Sequence, residues 1–272
     1  MQNEPQIFKG FDIKYPEYSI TTPQSKIEYT IRSLTVGEEE TLKASYLSAV
    51  QNVEHLNNIL WKCIVKKPKD IDDFDKFLQK TTVRDRDALM YALYHITYKD
   101  VHEYDITCGN CNKSYPIKVS FEKVVTLKFW PDDEEPVFQK EVVVPLQSEN
   151  VTAIIKQPTL WEEKKVLEES KYLKDEVRDK NIDLLIVNRF EIADPRGTES
   201  NPNVQQVTSR SDISFGYGQL LALDRKKIED AYLETFSKYG IELKAKTTCM
   251  HCSIEEVVDL DLVRQFFRAI YE

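Results

Sequence analysis

Apolar and polar positions change period several times along the chain. Between residues 18 and 34, Ile27, Tyr29 and Ile31 alternate with Glu28, Thr30 and Arg32, and Pro23-Gln24-Ser25 breaks the run. A period of two predicts two strands around a turn. The period then lengthens. Thr35 followed by Glu38 has the capping-box pattern, in which the hydroxyl accepts from a free helical N–H and the carboxylate reaches back to the cap residue's own N–H. A helix is expected from there, with Leu42, Tyr46, Leu47 and Val50 as its buried stripe. A second helix is expected over about 54 to 66, with Leu56, Ile59, Leu60, Cys63 and Ile64 on one face. After Pro68 come a short acidic and aromatic segment, 71 to 78, and a long helix capped near Thr82 that turns Leu89, Ala92, Leu93 and Ile96 inward. Strands over 101–107 and 115–121 should flank a tight knuckle, Cys108-Gly109-Asn110-Cys111.

The same order of signals then recurs. Pro145-Leu146-Gln147-Ser148 resembles the earlier turn, an apolar strand covers 151–155, and Thr159-Leu160-Trp161-Glu162-Glu163 matches Thr35-Val36-Gly37-Glu38-Glu39 at a distance of 124 positions. Leu160, Leu167, Tyr172 and Leu173 continue that helix, and a helix over 182–192 is expected as the counterpart of the one ending near Cys63. Asp224-Arg225, with Ala231, Tyr232 and Leu233, parallels Asp85-Arg86 with Ala92 and Leu93. A second knuckle, Cys249-Met250-His251-Cys252, follows the first at 141 positions. The growth in offset is about the length of the polar stretch 194–211, which reads as a surface insertion. The expected fold class is therefore α+β with two homologous domains, each a small helical bundle with a short antiparallel sheet carrying a CxxC knuckle. The expected boundaries are an N-terminal docking tail over 1–17 (Ile7, Phe8, Phe11 and Ile13 being too apolar for a purely disordered tail), a first repeat over 18–125, an acidic linker over 126–141 and a second repeat over 142–272.

Composition narrows the function classes. A chain of 272 residues with 41% apolar and 11% aromatic residues has material for two cores. No apolar run approaches the roughly 18–20 residues of a membrane-spanning helix, and Glu4 and Pro5 stand where a signal peptide would be basic and then apolar, so synthesis in the cytoplasm and no membrane partner are expected. A net charge of −9 argues against nucleic acid as a partner, since displacing counterions from phosphates needs a basic stripe. The dense acidic run from Asp132 to Glu135, between Pro131 and Pro136, reads as solvated linker.

The knuckles carry the one candidate chemistry. Thiolates are preferred structural ligands of zinc, and two pairs supply a closed tetrahedral set, so Cys108, Cys111, Cys249 and Cys252 are candidate ligands of one structural zinc shared across the two halves. The alternatives are inherited turns with reduced cysteines, or His251 standing in as a ligand. A thioredoxin-like redox pair fits less well, because that chemistry places its first cysteine at a helix N-terminus and strands flank both pairs here. Disulfides are disfavoured in a cytosolic setting. Cys63 reads as a core residue. Nothing catalytic stands out: with 7 glycines there is no phosphate-cradling loop, and Glu38-Glu39 and Glu162-Glu163 read as first-turn acids of capped helices.

The run Tyr18-Ser19-Ile20-Thr21-Thr22-Pro23-Gln24-Ser25, then Tyr29 to Leu34 and Thr35-Val36-Gly37-Glu38-Glu39, resembles the opening of the baseplate hub proteins of T-even-like, contractile-tailed bacteriophages. The resemblance extends over about 18–125, through Asp73-Phe74-Asp75 and the Cys108/Cys111 knuckle, with the second half as a degenerate copy. It implies a viral protein without enzymatic activity, made in the host cytoplasm and acting in baseplate hub assembly as chaperone or structural component, with other hub and tail proteins as partners. From a different class, a zinc-ribbon regulator binding nucleic acid or protein would need more basic residues near the knuckles than Lys113, Lys118, Lys244 and Lys246.

Overall fold

The computed structural model describes residues 14–44, 49–98, 101–148, 150–194 and 204–260. The apolar residues of the expected N-terminal docking tail, Ile7, Phe8, Phe11 and Ile13, lie outside the described residues, as do Tyr46, Leu47 and the side chain of Val50. Strands β1 (Glu17–Thr21) and β2 (Glu28–Arg32) form the first hairpin, followed by helices α1 (Val36–Ala44) and α2 (Ala49–Cys63), strand β3 (Ile64–Lys66), and helices α3 (Phe74–Lys80) and α4 (Val83–Thr97). The first knuckle lies between β4 (Val101–Thr107) and β5 (Ser114–Ser120), and one helical turn, α5 (Phe121–Val124), leads to β6 (Val125–Lys128). The order then repeats: β7 (Glu141–Pro145), β8 (Val151–Lys156), α6 (Leu160–Glu169), α7 (Asp175–Asp183), a 3-10 turn (Leu184–Ile186) and β9 (Val187–Ala193). Beyond it come β10 (Val204–Val207), α8 (Arg210–Gln219), α9 (Ala222–Tyr232) with a π turn (Leu233–Ser237), and the second knuckle hairpin, β11 (Gly240–Thr248) and β12 (Glu255–Asp259).

The fold is α+β, and the described residues form four antiparallel sheets ordered β1-β2-β3, β10-β9-β8-β7, β12-β11-β6 and β4-β5. Local chemistry starts the helices where the capping patterns put them. Thr35 and Glu38 exchange bonds (Thr35 N to Glu38 Oε2, 2.9 Å; Glu38 N to Thr35 Oγ1, 3.3 Å), and Thr82 with Asp85 and Thr159 with Glu162 do the same. Two turns are tied to helix starts by buried aspartates. Asp85 accepts from the amides of Gln24 (2.8 Å) and Ser25 (3.0 Å), and Asp224 from those of Gln147 (2.5 Å) and Ser148 (3.3 Å).

Several expectations need correction. The helix expected over 182–192 ends by Ile186, and Val187–Ala193 is strand β9, paired with β8 and β10. The helix expected to reach residue 66 stops at Cys63 because Ile64 and Lys66 pair with Ile31 and Thr30 of β2. In both places β-branched residues follow a helix end next to an unpaired strand, and ladder formation wins over helical continuation. Tyr172 and Leu173 lie beyond α6 and are exposed. Segment 126–141 is partly built into the fold. Its first residues, in β6, pair with the start of β11, and Trp130 and Val137 are buried, while Asp132 to Glu135 are exposed. Of the 194–211 stretch, Val204–Val207 forms the edge strand β10 and Arg210 starts α8.

Two apolar cores result. One gathers β1–β3, α2–α4 and the first knuckle hairpin, and also takes Leu160, Leu243, Ala245 and Cys249 from the second half. The other holds Trp130, Val144, Ala153, Ile155, Val187, Phe190, Ile213, Ile228 and Phe236. Trp130 stacks on Phe236 at 5.7 Å between ring centroids. The second hairpin thus leaves its own half's core and roofs the first, where β11 presents Leu243 and Ala245 at alternate positions to α4.

Candidate metal centre

Each knuckle is a hairpin tip with the same backbone wiring. Cys108 N donates to Lys113 O (3.1 Å) and Asn112 N to Cys108 O (3.0 Å); Cys249 N donates to Ile254 O (2.9 Å) and Ser253 N to Cys249 O (2.8 Å). The residue after the second cysteine is left-handed in both, with φ of 55° at Asn112 and 59° at Ser253. That conformation folds the chain back sharply, so that both sulfurs of a pair leave the turn on one side. Asparagine takes it readily, serine less so.

The two tips meet. Cys108 Sγ lies 3.7 Å from Cys252 Sγ, and Cys111 Sγ lies 3.7 Å from Cys249 Sγ. All four sulfurs are within 4.8 Å of one another. Zinc–sulfur bonds of about 2.3 Å in a tetrahedron put the sulfurs about 3.8 Å apart, close to the cross-tip spacing, whereas a disulfide would need about 2.05 Å. All five cysteines are free thiols. Cys108 and Cys249 are buried and Cys111 and Cys252 half-buried, so the four could bind a metal ion in a site largely closed to solvent.

Backbone amides aim at these sulfurs. His251 N donates to Cys249 Sγ at 3.4 Å. The Ile254 amide holds the Cys252 thiol down to about 7. The amides of Cys111 and Asn110 also favour the thiolate of Cys108, but burial and the crowding sulfurs of Cys249 and Cys252 push that thiol up to about 12. A cation would remove this competition by accepting all four sulfurs as anions. Cys63 is different in kind: it is buried in the first core, its thiol is pushed up to about 12 by burial, and it lies outside the cluster.

Side chains lock the tips together around the sulfurs. Glu256 of β12 accepts from Gly109 N (3.1 Å) and from the Tyr115 hydroxyl (2.8 Å), and those bonds, Tyr115 first, hold its carboxyl below the usual range. His251 Nε2 contacts Ser114 O at 3.2 Å, so its ring is committed to the neighbouring strand and it is not one of the clustered groups. Tyr115 and Glu256 went unnoticed in the sequence. A usable signal was there, because aligning the two hairpins on their cysteines puts these residues at equivalent positions, facing each other across the joint.

The family model described as T4 bacteriophage base plate protein matches residues 15–268, which takes in both hairpins, both cores and every described element of β1 to β12. The chain belongs to this family. No curated protein and no solved structure gives a match. The resemblance read from residues 18 to 125 is thus borne out at the level of the T4-like baseplate family, and the match runs through the second half as well. Among the described residues of this baseplate protein no helix is long and apolar enough to cross a membrane.

Proposed function

We propose that this baseplate-family chain is a non-enzymatic tail protein that acts in assembly of the baseplate hub, as assembly chaperone or structural component, by binding other hub and tail proteins. The observation that carries this reading is the family match over residues 15–268. In this reading the protein is made in the host cytoplasm and works at the tail baseplate, and its two halves descend from one duplicated unit. The test is to compare what co-purifies with the tagged chain from infected cells with the protein inventory of purified particles. Tail proteins in the first and the chain itself in the second mark a component; tail proteins in the first alone mark a chaperone. Enrichment of replication or transcription proteins in place of tail proteins overturns the reading.

In the same proposal Cys108, Cys111, Cys249 and Cys252 hold one structural zinc, which ties the second hairpin to the core of the first half. The cross-tip sulfur spacing of 3.7 Å supports it. Metal analysis of chelator-free protein is expected to give one zinc per chain, lost in either Cys108→Ser or Cys249→Ser. Structural zinc contributes on the order of 10 kcal/mol to small metal-dependent folds, so each variant should lose a large part of the chain's stability. Wild-type protein with no metal and an unchanged melting curve in chelator would sink the zinc proposal without touching the baseplate one. A nucleic-acid role for the hairpins finds little support in the charges beside them: Lys118 pairs with Glu103, and Lys244 with Glu242 and Asp259.

A further inference from the structure

One face of the first half is covered from within the chain. Helix α6 lies across α2, α3 and the start of α4: Leu160 N donates to Thr81 O (2.9 Å), and Val83 N donates to Pro158 O (3.1 Å). Arg86 grips both oxygens of Glu163, and Lys164 reaches Asp75 at 3.9 Å. Leu160 and Leu167 are buried there, and Leu167 helps to close a small cavity with Val53, Phe74 and Leu78.

The second half builds the same face from α7, α8 and the start of α9, and no other helix among the described residues lies across it as α6 lies across the first. A cleft of about 720 Å³ opens on its α7–α8 part, between the end of α6, α7 and the start of α8, lined in part by Val166, Glu169, Val177, Lys180, Arg210 and Phe215. Phe215, Leu221 and Leu223 are exposed, and Arg225, in the position of Arg86, is on the surface with Glu229 of its own helix as partner. The helix equivalent to α6 is α1, which is open on the matching side. Val36 is 72% exposed where Leu160 is 0%. Glu39, half-buried, stands in the place of Glu163; within the chain its Oε1 accepts from the Tyr98 hydroxyl (3.0 Å) and lies 3.7 Å from Lys43, leaving Oε2 for a second cation, and Glu40 stands in the place of Lys164. The charges have changed together. Where Lys164 meets Asp75 in the first half, the second half presents Ser211 with Lys180 on the adjoining helix, and α1 presents an acid.

We propose that α1 of a second copy of this chain docks on the α7–α8–α9 face, as α6 docks on α2–α3–α4 within the chain, with Glu39 directed to Arg225 and Val36 set among Leu221 and Phe215. The inference rests on the equivalence of the two halves and is independent of the metal. The contact is head-to-tail: each copy has one α1 to give and one face to receive, so copies join in a ring or a growing row. Arg225→Glu spoils the face and leaves α1 intact, whereas Val36→Asp spoils α1 at an open first-turn position, where an acid suits the helix.

Sedimentation velocity on the full chain, from micromolar to roughly millimolar concentration, tests it. Wild type is expected to associate progressively, and each variant, with unchanged circular dichroism and metal content, to associate at least about tenfold more weakly. An equimolar mixture of the two variants should then form dimers and stop, since one intact helix meets one intact face. Three results overturn the proposal: wild type that stays monomeric throughout, as it would if another part of the chain covered the face; association that neither variant weakens; or a mixture in which no dimer returns.

Discussion

The two halves share a wiring plan but occupy different places in the molecule. In both, an aspartate in the first turn of a helix binds the amides of a strand turn, a capping box opens the helix after the second strand, and a cysteine hairpin closes the unit. Yet Gln24 in the first turn is buried, its amide donating to Phe236 O (3.0 Å) and Tyr239 O (3.2 Å) and accepting from Thr82 Oγ1 (2.7 Å). Gln147, at the equivalent place, is exposed. Arg86 is enclosed with Glu163, whereas Arg225 is in solvent. The first half is the inner unit, roofed by α6 and the β11–β12 hairpin. The second half keeps the corresponding surfaces outward. A position's energetic weight therefore depends on which half it is in, and matched substitutions can measure that.

The largest contrast is expected at the arginines. Arg86→Met strands Glu163, which is 4% exposed, without its cation; breaking a buried pair from one side costs about 3–5 kcal/mol. Arg225→Met removes a surface pair one turn apart and should leave the urea midpoint almost unchanged. Urea denaturation of dilute protein reads both. Equal effects would mean that α6 is not held as described.

Next come the aspartates. Asp85→Ala leaves the amides of Gln24, Ser25 and Thr82 without their acceptor, and Asp224→Ala leaves those of Gln147 and Ser148 and the Ser148 hydroxyl. A buried group left without a partner costs about 1–3 kcal/mol, so the first variant should lose about 3 kcal/mol and the second, whose stranded donors belong to exposed Gln147 and half-buried Ser148 and can take water instead, about half that. The ionisation of the pair differs too. Burial raises the carboxyl of Asp85, while at Asp224 burial is outweighed by the amide of Gln147 and the hydroxyl and amide of Ser148, which hold it below the usual range.

How much of this was legible in the sequence follows from the range of the forces involved. Capping boxes are local, so Thr35, Thr82 and Thr159 mark their helices correctly, and the alternation in 115–121 marks the second strand of the first hairpin. Strand β9 is not legible locally because Val187, Phe190 and Ile192 are apolar in an order compatible with either period, and only the pairing with β8 decides it. Helix α8 was missed because Gly216 and Gly218 lie within it; Gly216 packs beside the Phe190 ring, a contact no local pattern signals. Glu163 was read as a first-turn acid suited to the helix dipole. It is that, but its partner Arg86 is 77 residues away. The convergence of the four sulfurs was readable because the hairpins repeat; the exchange of β11 to the first core was not, since Leu243 and Ala245 would suit either core.

A smaller difference between the halves is set by pH. Arg32 holds Glu38 with both nitrogens (2.9 and 2.6 Å), whereas Lys156 holds Glu162 as a single point charge. Burial alone would raise the Glu38 carboxyl, but the bonds from Arg32 and Thr35 outweigh it and bring it down to about 2. Because the folded value lies below the unfolded one of about 4.5, the stability Glu38 contributes is complete above pH 4.5 and is lost as pH falls toward 2. Arg32→Lys, which copies the second half, should flatten stability between those pH values, with its loss of stability largest at pH 7 and vanishing toward pH 2. A variant with an undiminished acid slope would place that slope in other carboxylates.

The smallest expected effect repairs the second half. Thr82 caps α4, accepting from Asp85 N at 3.0 Å, whereas Leu221 precedes α9 with no side-chain cap although its backbone, φ −66° and ψ 148°, is already in the conformation a capping residue takes. Leu221→Thr should complete the box with Asp224 and gain about 1 kcal/mol, read as a higher urea midpoint at unchanged slope. Leu221 is 54% exposed, so little burial is lost in exchange. A gain in dilute protein together with weaker self-association at high concentration would give the reason for an uncapped leucine there: the side chain serves the face it helps to form, and the missing cap is what that surface costs the second half. No gain would instead mean that the amides of α9's first turn are already satisfied, and that the two halves differ less at their helix starts than the side chains of Thr82 and Leu221 imply.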